Sequence, residues 1–315
     1  MLPPVSALVL LAFRGVLVDA SQPVPTGFSA VVLVVDHASD AGAARRLQTA
    51  GLDLYYWFEV ARSPRLAREH PEWMASLQGH PEWRRLFPNA PQPQPGEVVK
   101  NFPWVPILYK EAFDAHLDRL AALLRSLPAP RGIFLNDLQG APSACGCGND
   151  LCRWTTDYGP LRTATRLGPD AAASFLAAVS RLAPTSQIIP VWTTECEEDD
   201  KPDRCAGVNC FRGLCWKEYA SQLTPVARQS NTVAVLAPYH NYQRDPAWVR
   251  RVVSTFPAQG VPAGRVIAVL QGWDVSPSDV AAQIDHAQAS GAAGYLVARV
   301  KIDQSWEPRL HRLPR

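Results

Sequence analysis

The sequence predicts a (β/α)8 barrel, an α/β fold in which parallel strands alternate with helices. Eight apolar, β-branched runs recur along the 315 residues, and segments with helical periodicity separate most of them. This alternation favours a parallel sheet covered on both faces, and a closed barrel is its simplest form at this length. An open, doubly wound sheet is the alternative. No Gly-x-Gly-x-x-Gly follows the first run, which argues against dinucleotide binding.

The strand-like runs are bounded by turn residues or polar residues. They cover residues 29–37, 52–60, 103–109, 132–137, 187–195, 232–240, 265–274 and 294–301. Pro106 interrupts the third run and makes it the weakest strand. The helices between the runs show apolar stripes at three- and four-residue steps. They cover residues 41–50, 113–127, 175–182, 216–226, 246–256 and 276–291.

The composition is that of an ordered globular protein. Hydrophobic residues make up 47% of the chain and charged residues 19%, which is enough for a sizeable core. The formal net charge is only +2, so no strongly basic surface is expected. We therefore expect no nucleic-acid partner, and the sequence does not indicate an oligomeric state.

The first twenty residues are expected to form a secretory signal peptide, residues 1–20. Their apolar core, "VSALVLLAF", is too short to span a bilayer, and cleavage is expected near Ala20. The alternatives are a buried first strand and an uncleaved anchor. With the signal removed, residues 21–315 would form a single barrel domain, secreted or periplasmic, without a membrane span.

A long segment from residue 61 to 102 follows the second predicted strand. It carries His-Pro-Glu-Trp twice, at 70–73 and 80–83, and then becomes rich in proline. Because long loops in compact domains are usually functional, we expect an ordered insertion over one face of the barrel. A surface excursion without a function is the alternative.

Polar side chains end several of the predicted strands. In (β/α)8 barrels the catalytic groups lie at the C-terminal ends of the strands, and acidic residues are otherwise depleted in strands. These ends carry Asp36, Glu59, Asp137, Glu195, Tyr239, His240, Asp274 and Arg299. Any one of them could cap a helix or bind an arginine, but the set predicts a site at the barrel mouth.

Asp137 and Glu195 end the fourth and fifth predicted strands, and we expect them to form the carboxyl pair of a glycoside hydrolase. Carboxyls about 5–5.5 Å apart serve a retaining mechanism, and a gap of about 6.5–9.5 Å serves an inverting one. In the retaining form Asp137 attacks the anomeric carbon and Glu195 protonates the leaving oxygen. Their pKa values must then differ, and Trp192, near Glu195, is a candidate for raising one of them.

Aromatic side chains near the same rim are expected to stack on sugar rings, with ordinary core packing as the alternative for each. They are Tyr55, Trp57, Trp104, Trp192, Tyr239 and Trp273. Glu59, His240 and Arg299 complete the expected carbohydrate-binding set. No cofactor is expected.

Two stretches resemble a known kind of protein. "YYWFEVARSP…HPEWMAS" and "PWVPILYKEAFDAHLDRLAALLRSLPAPRGIFLND" resemble the hypothetical glycosyl-hydrolase-like (β/α)8 proteins of bacteria, mainly over residues 52–140. The resemblance implies that the strand ending at Asp137 carries a catalytic aspartate. The chain is also distantly similar to alpha-amylase-type barrels. That likeness implies Asp137 as nucleophile, Glu195 as acid and Asp274 as transition-state stabiliser, although Leu135 stands where those barrels have arginine.

All the cysteines lie in two clusters, which follow the fourth and fifth predicted strands. They are Cys145, Cys147, Cys152, Cys196, Cys205, Cys210 and Cys215. In a secreted chain we expect disulfides that brace the loops carrying the two acids, because a displacement of about 1 Å can cost about 100-fold in rate. Their odd number leaves one thiol free, paired with another molecule or bound to a metal.

Two other functions are compatible with these patterns. A non-catalytic carbohydrate-binding barrel would keep the aromatic rim and would not need the paired acids. A cysteine-based metal protein would use the thiolates as zinc ligands, with His240 as a further ligand.

Overall fold

The structure is a computed structural model that describes residues 12–23, 26–36, 40–70, 73, 97–102, 105, 107, 110–138, 171–193, 226–240, 244–300 and 307–312. Eight parallel strands close into a barrel, which confirms the predicted fold class. They are β1 (Phe13–Val18), β2 (Ala30–Val34), β3 (Asp53–Glu59), β5 (Gly132–Asn136), β6 (Gln187–Thr193), β7 (Val233–Ala237), β8 (Val266–Gln271) and β9 (Gly294–Ala298).

Helices pack on the outside of the barrel. They are α1 (Ala41–Thr49), α2 (Pro64–Glu69), α3 (Lys110–Ser126), α4 (Ala171–Leu182), α5 (Trp248–Thr255) and α6 (Pro277–Ala289). Residues 226–229 are also helical, at the end of the predicted helix 216–226. Helix α6 begins with a capping box, in which the Ser276 and Asp279 side chains each accept from the backbone N–H of the other. Among the described residues, no helix is long and apolar enough to cross a membrane.

Successive side chains of each strand face opposite sides of the barrel wall, as the pleat requires. On β3, Tyr55 and Trp57 face the barrel interior, whereas Tyr56 and Phe58 pack against the outer layer of helices. Each barrel strand therefore contributes to two cores. The same alternation brings the last residue of β3, Glu59, onto the interior face at the mouth.

The first strand of the barrel lies inside the segment predicted as a signal peptide. Strand β1 pairs with β2 on one side and with β9 on the other, and its residues Val16, Leu17 and Val18 are fully buried. At this seam Gly294 is needed, because a Cβ there would lie 2.2 Å from the carbonyl oxygen of Phe13. The arrangement matches the alternative of a buried first strand. Cleavage near Ala20 would remove β1, and the signal peptide itself stays a prediction.

The predicted strand at 103–109 is wrong. Val105 and Ile107 are buried but lie outside any strand. The backbone N–H of Val105 donates to Ala61 at 2.8 Å, and its carbonyl lies 2.6 Å from His116 Nε2. Val105 and Ile107 therefore lie outside the barrel sheet, and β3 pairs directly with β5. Because β1 takes the missing place, the barrel still has eight strands.

The described part of the segment 61–102 contains regular secondary structure. It contains helix α2, whose N-cap Ser63 accepts a hydrogen bond from the backbone N–H of Leu66. It also contains strand β4 (Glu97–Phe102), which pairs antiparallel with β10 (Glu307–Arg312) near the end of the chain. Residues 71–72 and 74–96, including the second His-Pro-Glu-Trp, lie outside the described part.

Candidate active site

Two carboxyl groups meet at the mouth of the barrel, and they are Glu59 and Asp137. Strands β3 and β5 are neighbours, and their register sets Glu59 opposite Asn136. Asp137 comes directly after β5, and its side chain shares a hydrogen bond with that of Glu59. The sequence placed both residues at this edge, but it paired Asp137 with Glu195 and made Glu59 a substrate contact.

The environment of Asp137 favours the protonated form of its carboxyl. Burial raises its pKa well above the ordinary aspartate value, and the negative charge and the hydrogen bond of Glu59 raise it further. The nearby guanidinium of Arg62 opposes this shift. Burial and Glu59 both favour the proton on Asp137, which makes Asp137 the donor in its hydrogen bond with Glu59.

The Glu59 carboxylate is fixed by two further donors from the barrel interior. Trp57 Nε1 donates to Glu59 Oε1 at 2.7 Å, and Asn136 Nδ2 donates to Glu59 Oε2 at 2.8 Å. The Trp57 ring is itself stacked on Phe134, with the centroids 5.9 Å apart. The charged member of the pair is thus held by side chains that belong to the packed core.

Asp137 has a strained backbone conformation, which its surroundings must hold in place. Its φ is 54°, in the left-handed region that non-glycine residues seldom adopt, and Asp274 has the same value. Among the described residues, these two are the non-glycine positions with positive φ, and both directly follow or lie near the end of a barrel strand. Strain of this kind clusters at functional sites.

A buried arginine supports the same corner from the helix layer. Arg119 of α3 donates from Nη1 to Asp36 Oδ1 at 3.1 Å, and from Nη2 to the carbonyl oxygens of Glu59 and Val60. Its guanidinium lies over the Phe58 ring, 4.3 Å from the centroid. Burial lowers the pKa of Arg119 to about 10, a value that still leaves it charged at neutral pH.

A cavity of about 280 Å³ opens beside Glu59, at the C-terminal ends of β1, β2, β3 and β9. Its charged lining residues are Asp19, Asp36, Glu59 and Arg62. The apolar lining consists of Leu17, Val34, Val35, Trp57, Pro64 and Val300. The cavity and the carboxyl pair therefore share Glu59.

Three predicted aromatic contacts lie away from the mouth. Tyr55 packs edge-on against Phe13 in the barrel interior, and its hydroxyl bonds to Arg131 at the opposite, N-terminal end. Trp192 is fully buried in the outer layer. Tyr239 is also in the outer layer and bonds to Asp279; burial, with the charge of that aspartate, raises its pKa.

Three of the remaining described candidates, Trp273, Asp274 and His240, follow β7 and β8, on the opposite side of the rim from β3. Trp273 is buried on the interior face, and within the described part of the chain its indole N–H has no hydrogen-bond partner. Asp274 is exposed. His240 is exposed and donates its backbone N–H to Gln271 at 3.1 Å. Arg299 is exposed next to Val300 of the cavity.

Several candidates lie outside the described residues: Glu195, Trp104 and all seven cysteines. The predicted disulfides, the zinc alternative and the Asp137–Glu195 pair therefore stay predictions. In the residues that are described, no group of three or more His, Cys, Asp or Glu side chains is placed to hold a metal ion.

Sequence reasoning missed Asn136, Arg119 and Arg62. Asn136 carried a signal, since a polar residue at the end of an otherwise apolar strand is unusual. Its Oδ1 is buried and, among the described atoms, lacks a hydrogen-bond partner. Arg119 lies in the predicted helix 113–127 between Leu117 and Leu120 of its apolar stripe. An arginine next to such a stripe indicates a buried ion pair.

No protein-family model matches the chain, and no curated protein matches it in sequence. Among solved structures, a β-galactosidase from the psychrophilic Marinomonas ef1 aligns with a TM-score of 0.53 and 11% identity, over 91% of this chain and 54% of that one. The endo-1,4-β-D-mannanase of Thermotoga petrophila RKU-1 aligns with a TM-score of 0.49 and 8% identity, over 91% and 88%. The carboxyl transferase domain of Rhizobium etli pyruvate carboxylase aligns with a TM-score of 0.41 and 10% identity, over 83% of this chain and 29% of that one.

The chain spans about half the length of the β-galactosidase that it matches. At 11% identity this likeness shows the fold, a TIM barrel that is also found in a glycoside hydrolase. The resemblance to glycosyl-hydrolase-like barrels is thus supported for the architecture. A link to the alpha-amylase type is not shown.

Proposed function

We propose that the chain is a glycoside hydrolase in which Asp137 is the general acid. The observation that carries the proposal is a buried carboxyl at the mouth of the barrel, whose pKa is raised by burial and by the charge and hydrogen bond of the neighbouring Glu59. A glycosidic oxygen needs a proton donor as its bond breaks, and a carboxyl with a raised pKa provides one near neutral pH.

This assignment exchanges the roles that the sequence suggested for Asp137 and Glu195. A nucleophile must be ionised, whereas burial and the charge of Glu59 disfavour the ionised form of Asp137. We therefore assign the nucleophile, or the base that activates water, to Glu195, which follows the neighbouring strand β6. The support for Glu195 comes from the sequence, in which it lies at the end of the fifth predicted strand.

Glu59 does not serve as the second catalytic carboxyl. Oxygens that share a hydrogen bond lie about 2.5–3.0 Å apart, which leaves no room for the anomeric carbon between the two groups. Catalytic pairs in glycosidases are about 5–5.5 Å apart or more. Glu59 is instead a positioning residue, which holds the proton on Asp137 and fixes its side chain.

Export of the chain and bracing of its loops by disulfides belong to the same proposal. Since β1 begins at Phe13, export that preserves the barrel requires cleavage before that residue, or no cleavage at all. Non-reducing mass spectrometry of the exported protein would give both its first residue and the cysteine pairing.

The test is a hydrolysis screen of the full chain on aryl glycosides and on β-linked polysaccharides, repeated with Asp137→Asn. Removal of a general acid costs about 10²–10⁴-fold in rate. The loss should be largest for poor leaving groups such as methyl and small for dinitrophenyl, which needs no protonation. The matched control is Asp53→Asn, an exposed acid at the other end of β3 that pairs with Arg131. Equal activity of Asp137→Asn on all leaving groups would exclude the assignment.

A non-catalytic carbohydrate-binding barrel is the second candidate. The observation in its favour is that the Glu59 oxygens are already bonded to Trp57, Asn136 and Asp137, as in a purely structural cluster. Glycan affinity without any turnover in the same screen would favour it. The cysteine-based metal alternative concerns residues outside the described part, and metal analysis of the purified protein tests it.

A further inference from the structure

The cavity beside Glu59 has a lining that differs from the rest of the barrel mouth. Its walls are hydrocarbon and indole, from Leu17, Val34, Val300 and Trp57. Its charged groups lie together at the strand ends, where β1 leads into Asp19 and β2 leads into Asp36. A sugar ring is divided in the same way, because its faces carry apolar C–H groups and its periphery carries hydroxyl groups.

Carboxylates dominate the charge of this cavity. Asp19, Asp36 and Glu59 contribute three carboxyl groups against the one guanidinium of Arg62. Arg62 lies close enough to Asp137 to act on that carboxyl. Arg119, which binds Asp36, does not line the cavity. Arg119 offsets the charge of Asp36 from outside the lining, so an anionic ligand would meet a net excess of negative charge rather than three full charges. Hydroxyl and ammonium groups would find acceptors.

The carboxylates are held in position before any ligand arrives. Asp36 is fixed by Arg119, and its own backbone N–H donates to Asp40 Oδ2 at 3.0 Å. Asp19 Oδ1 accepts from the backbone N–H of Ser21 at 2.8 Å. Because fixed acceptors cost less to order on binding than mobile ones, they suit recognition of hydroxyl groups.

We propose that this cavity binds one sugar ring of the substrate, accepts neutral and amino sugars, and rejects uronic acids and other anionic sugars. The inference rests on the proposed function, because it places the ring next to the acid pair. The volume of about 280 Å³ lies at the lower limit of the roughly 300–1,000 Å³ typical of pockets for drug-sized ligands, so it suits a single ring. The selectivity follows from like-charge repulsion rather than from shape.

The test is equilibrium binding of free monosaccharides to the wild-type full chain, measured by calorimetry. Free monosaccharides have no glycosidic bond, so binding is read independently of hydrolysis. Gluco-, galacto- and manno-configured hexoses are each compared with the corresponding 2-amino sugar and uronic acid. We expect the uronic acid of the preferred configuration to bind at least about tenfold more weakly than the hexose, which corresponds to about 1.4 kcal/mol.

Cavity-filling variants locate the binding. Val34→Phe and Val300→Phe extend wall residues into the cavity and should abolish hexose binding, with the circular dichroism spectrum unchanged. Val280→Phe, at a partly buried position of the outer layer, is the matched control and should bind normally. Asp36→Asn should narrow the gap between hexose and uronic acid.

The outcomes separate this inference from the proposed function. Equal affinity for hexose and uronic acid, no binding of any sugar, or full binding in both filled variants would overturn the inference even if hydrolysis is found. Selective binding in the cavity without hydrolysis would support it and would contradict the proposed function.

Discussion

Asp137 donates a hydrogen bond to Glu59 across the boundary between two neighbouring barrel strands. The bond joins an acid that is almost completely buried to one that is only half-buried. The proton thus lies at the base of the mouth, between the packed interior and the solvent. Four expectations follow from this corner and from the way the barrel closes around it.

The first concerns the pH dependence of stability. The folded-state pKa of Asp137 lies above its unfolded value of about 3.9, so the native state binds more protons above that pH. The contribution of Asp137 to stability should therefore fall as pH rises, by up to about 1.4 kcal/mol per pH unit until the raised pKa is passed. Asp137→Asn lacks this loss, so its stability relative to wild type should increase from pH 4 to pH 7 in urea denaturation. A difference that does not depend on pH would contradict the protonated state.

The second concerns Glu59→Gln. Removing the negative charge lowers the pKa of Asp137, although burial still holds it above the ordinary value. Because a general acid works only while protonated, the alkaline fall of the pH–rate profile should move to lower pH. The glutamine amide has only one acceptor oxygen, so one of the two donors, Trp57 or Asn136, then faces its NH2 group, and we expect about 1–3 kcal/mol of destabilisation. An unchanged alkaline limb would mean that another group sets it.

The third concerns Arg119, which joins α3 to the ends of β2 and β3. Arg119→Met leaves two carbonyl oxygens and Asp36 without their buried donor, and should lower the free energy of unfolding by about 1.5–3 kcal/mol. Lys110→Met is the matched control, because it breaks an exposed pair with Asp114 on the same helix that is worth about 0–1 kcal/mol. If urea denaturation shows the same loss of unfolding free energy in both variants, the buried hydrogen bonds of Arg119 contribute no more than an exposed ion pair.

The fourth concerns the start of the barrel. A chain that lacks residues 1–20 loses β1, its two ladders and three fully buried side chains. We expect it to lose cooperative unfolding and to expose apolar surface that binds a hydrophobic dye. A chain that lacks only residues 1–10 keeps every described strand and should unfold like the full chain. A cooperative, dye-silent chain without residues 1–20 would contradict the strand.

The sequence predicted the barrel because alternating strands and helices leave few other arrangements, and it predicted Asp137 because an acid after an apolar strand is unusual. The partner of Asp137 required the pairing order of the strands. The segment 103–109 looked like a strand, which would have separated Glu59 from Asp137. In the structure Val105 and Ile107 lie outside the barrel sheet, so β3 and β5 are neighbours and Glu59 and Asp137 lie side by side. The strand propensity of a single segment does not determine which strands are neighbours in the barrel.

The sequence indicated β1 only as an alternative to the signal peptide, for a related reason. A short apolar run near the N-terminus has the composition of both a signal core and a buried strand, and periodicity does not separate them. Only the pairing of β1 with both β2 and β9 distinguishes the two.

The seam between β1 and β9 has a consequence for how the chain is made. Phe13 pairs with Gly294, so the first strand of the barrel must wait during synthesis for the last barrel strand. During synthesis β1 has one edge without its final neighbour, and such edges recruit other chains. We therefore expect the barrel to form after translation rather than during it, with slow closure governed by this most distant pairing.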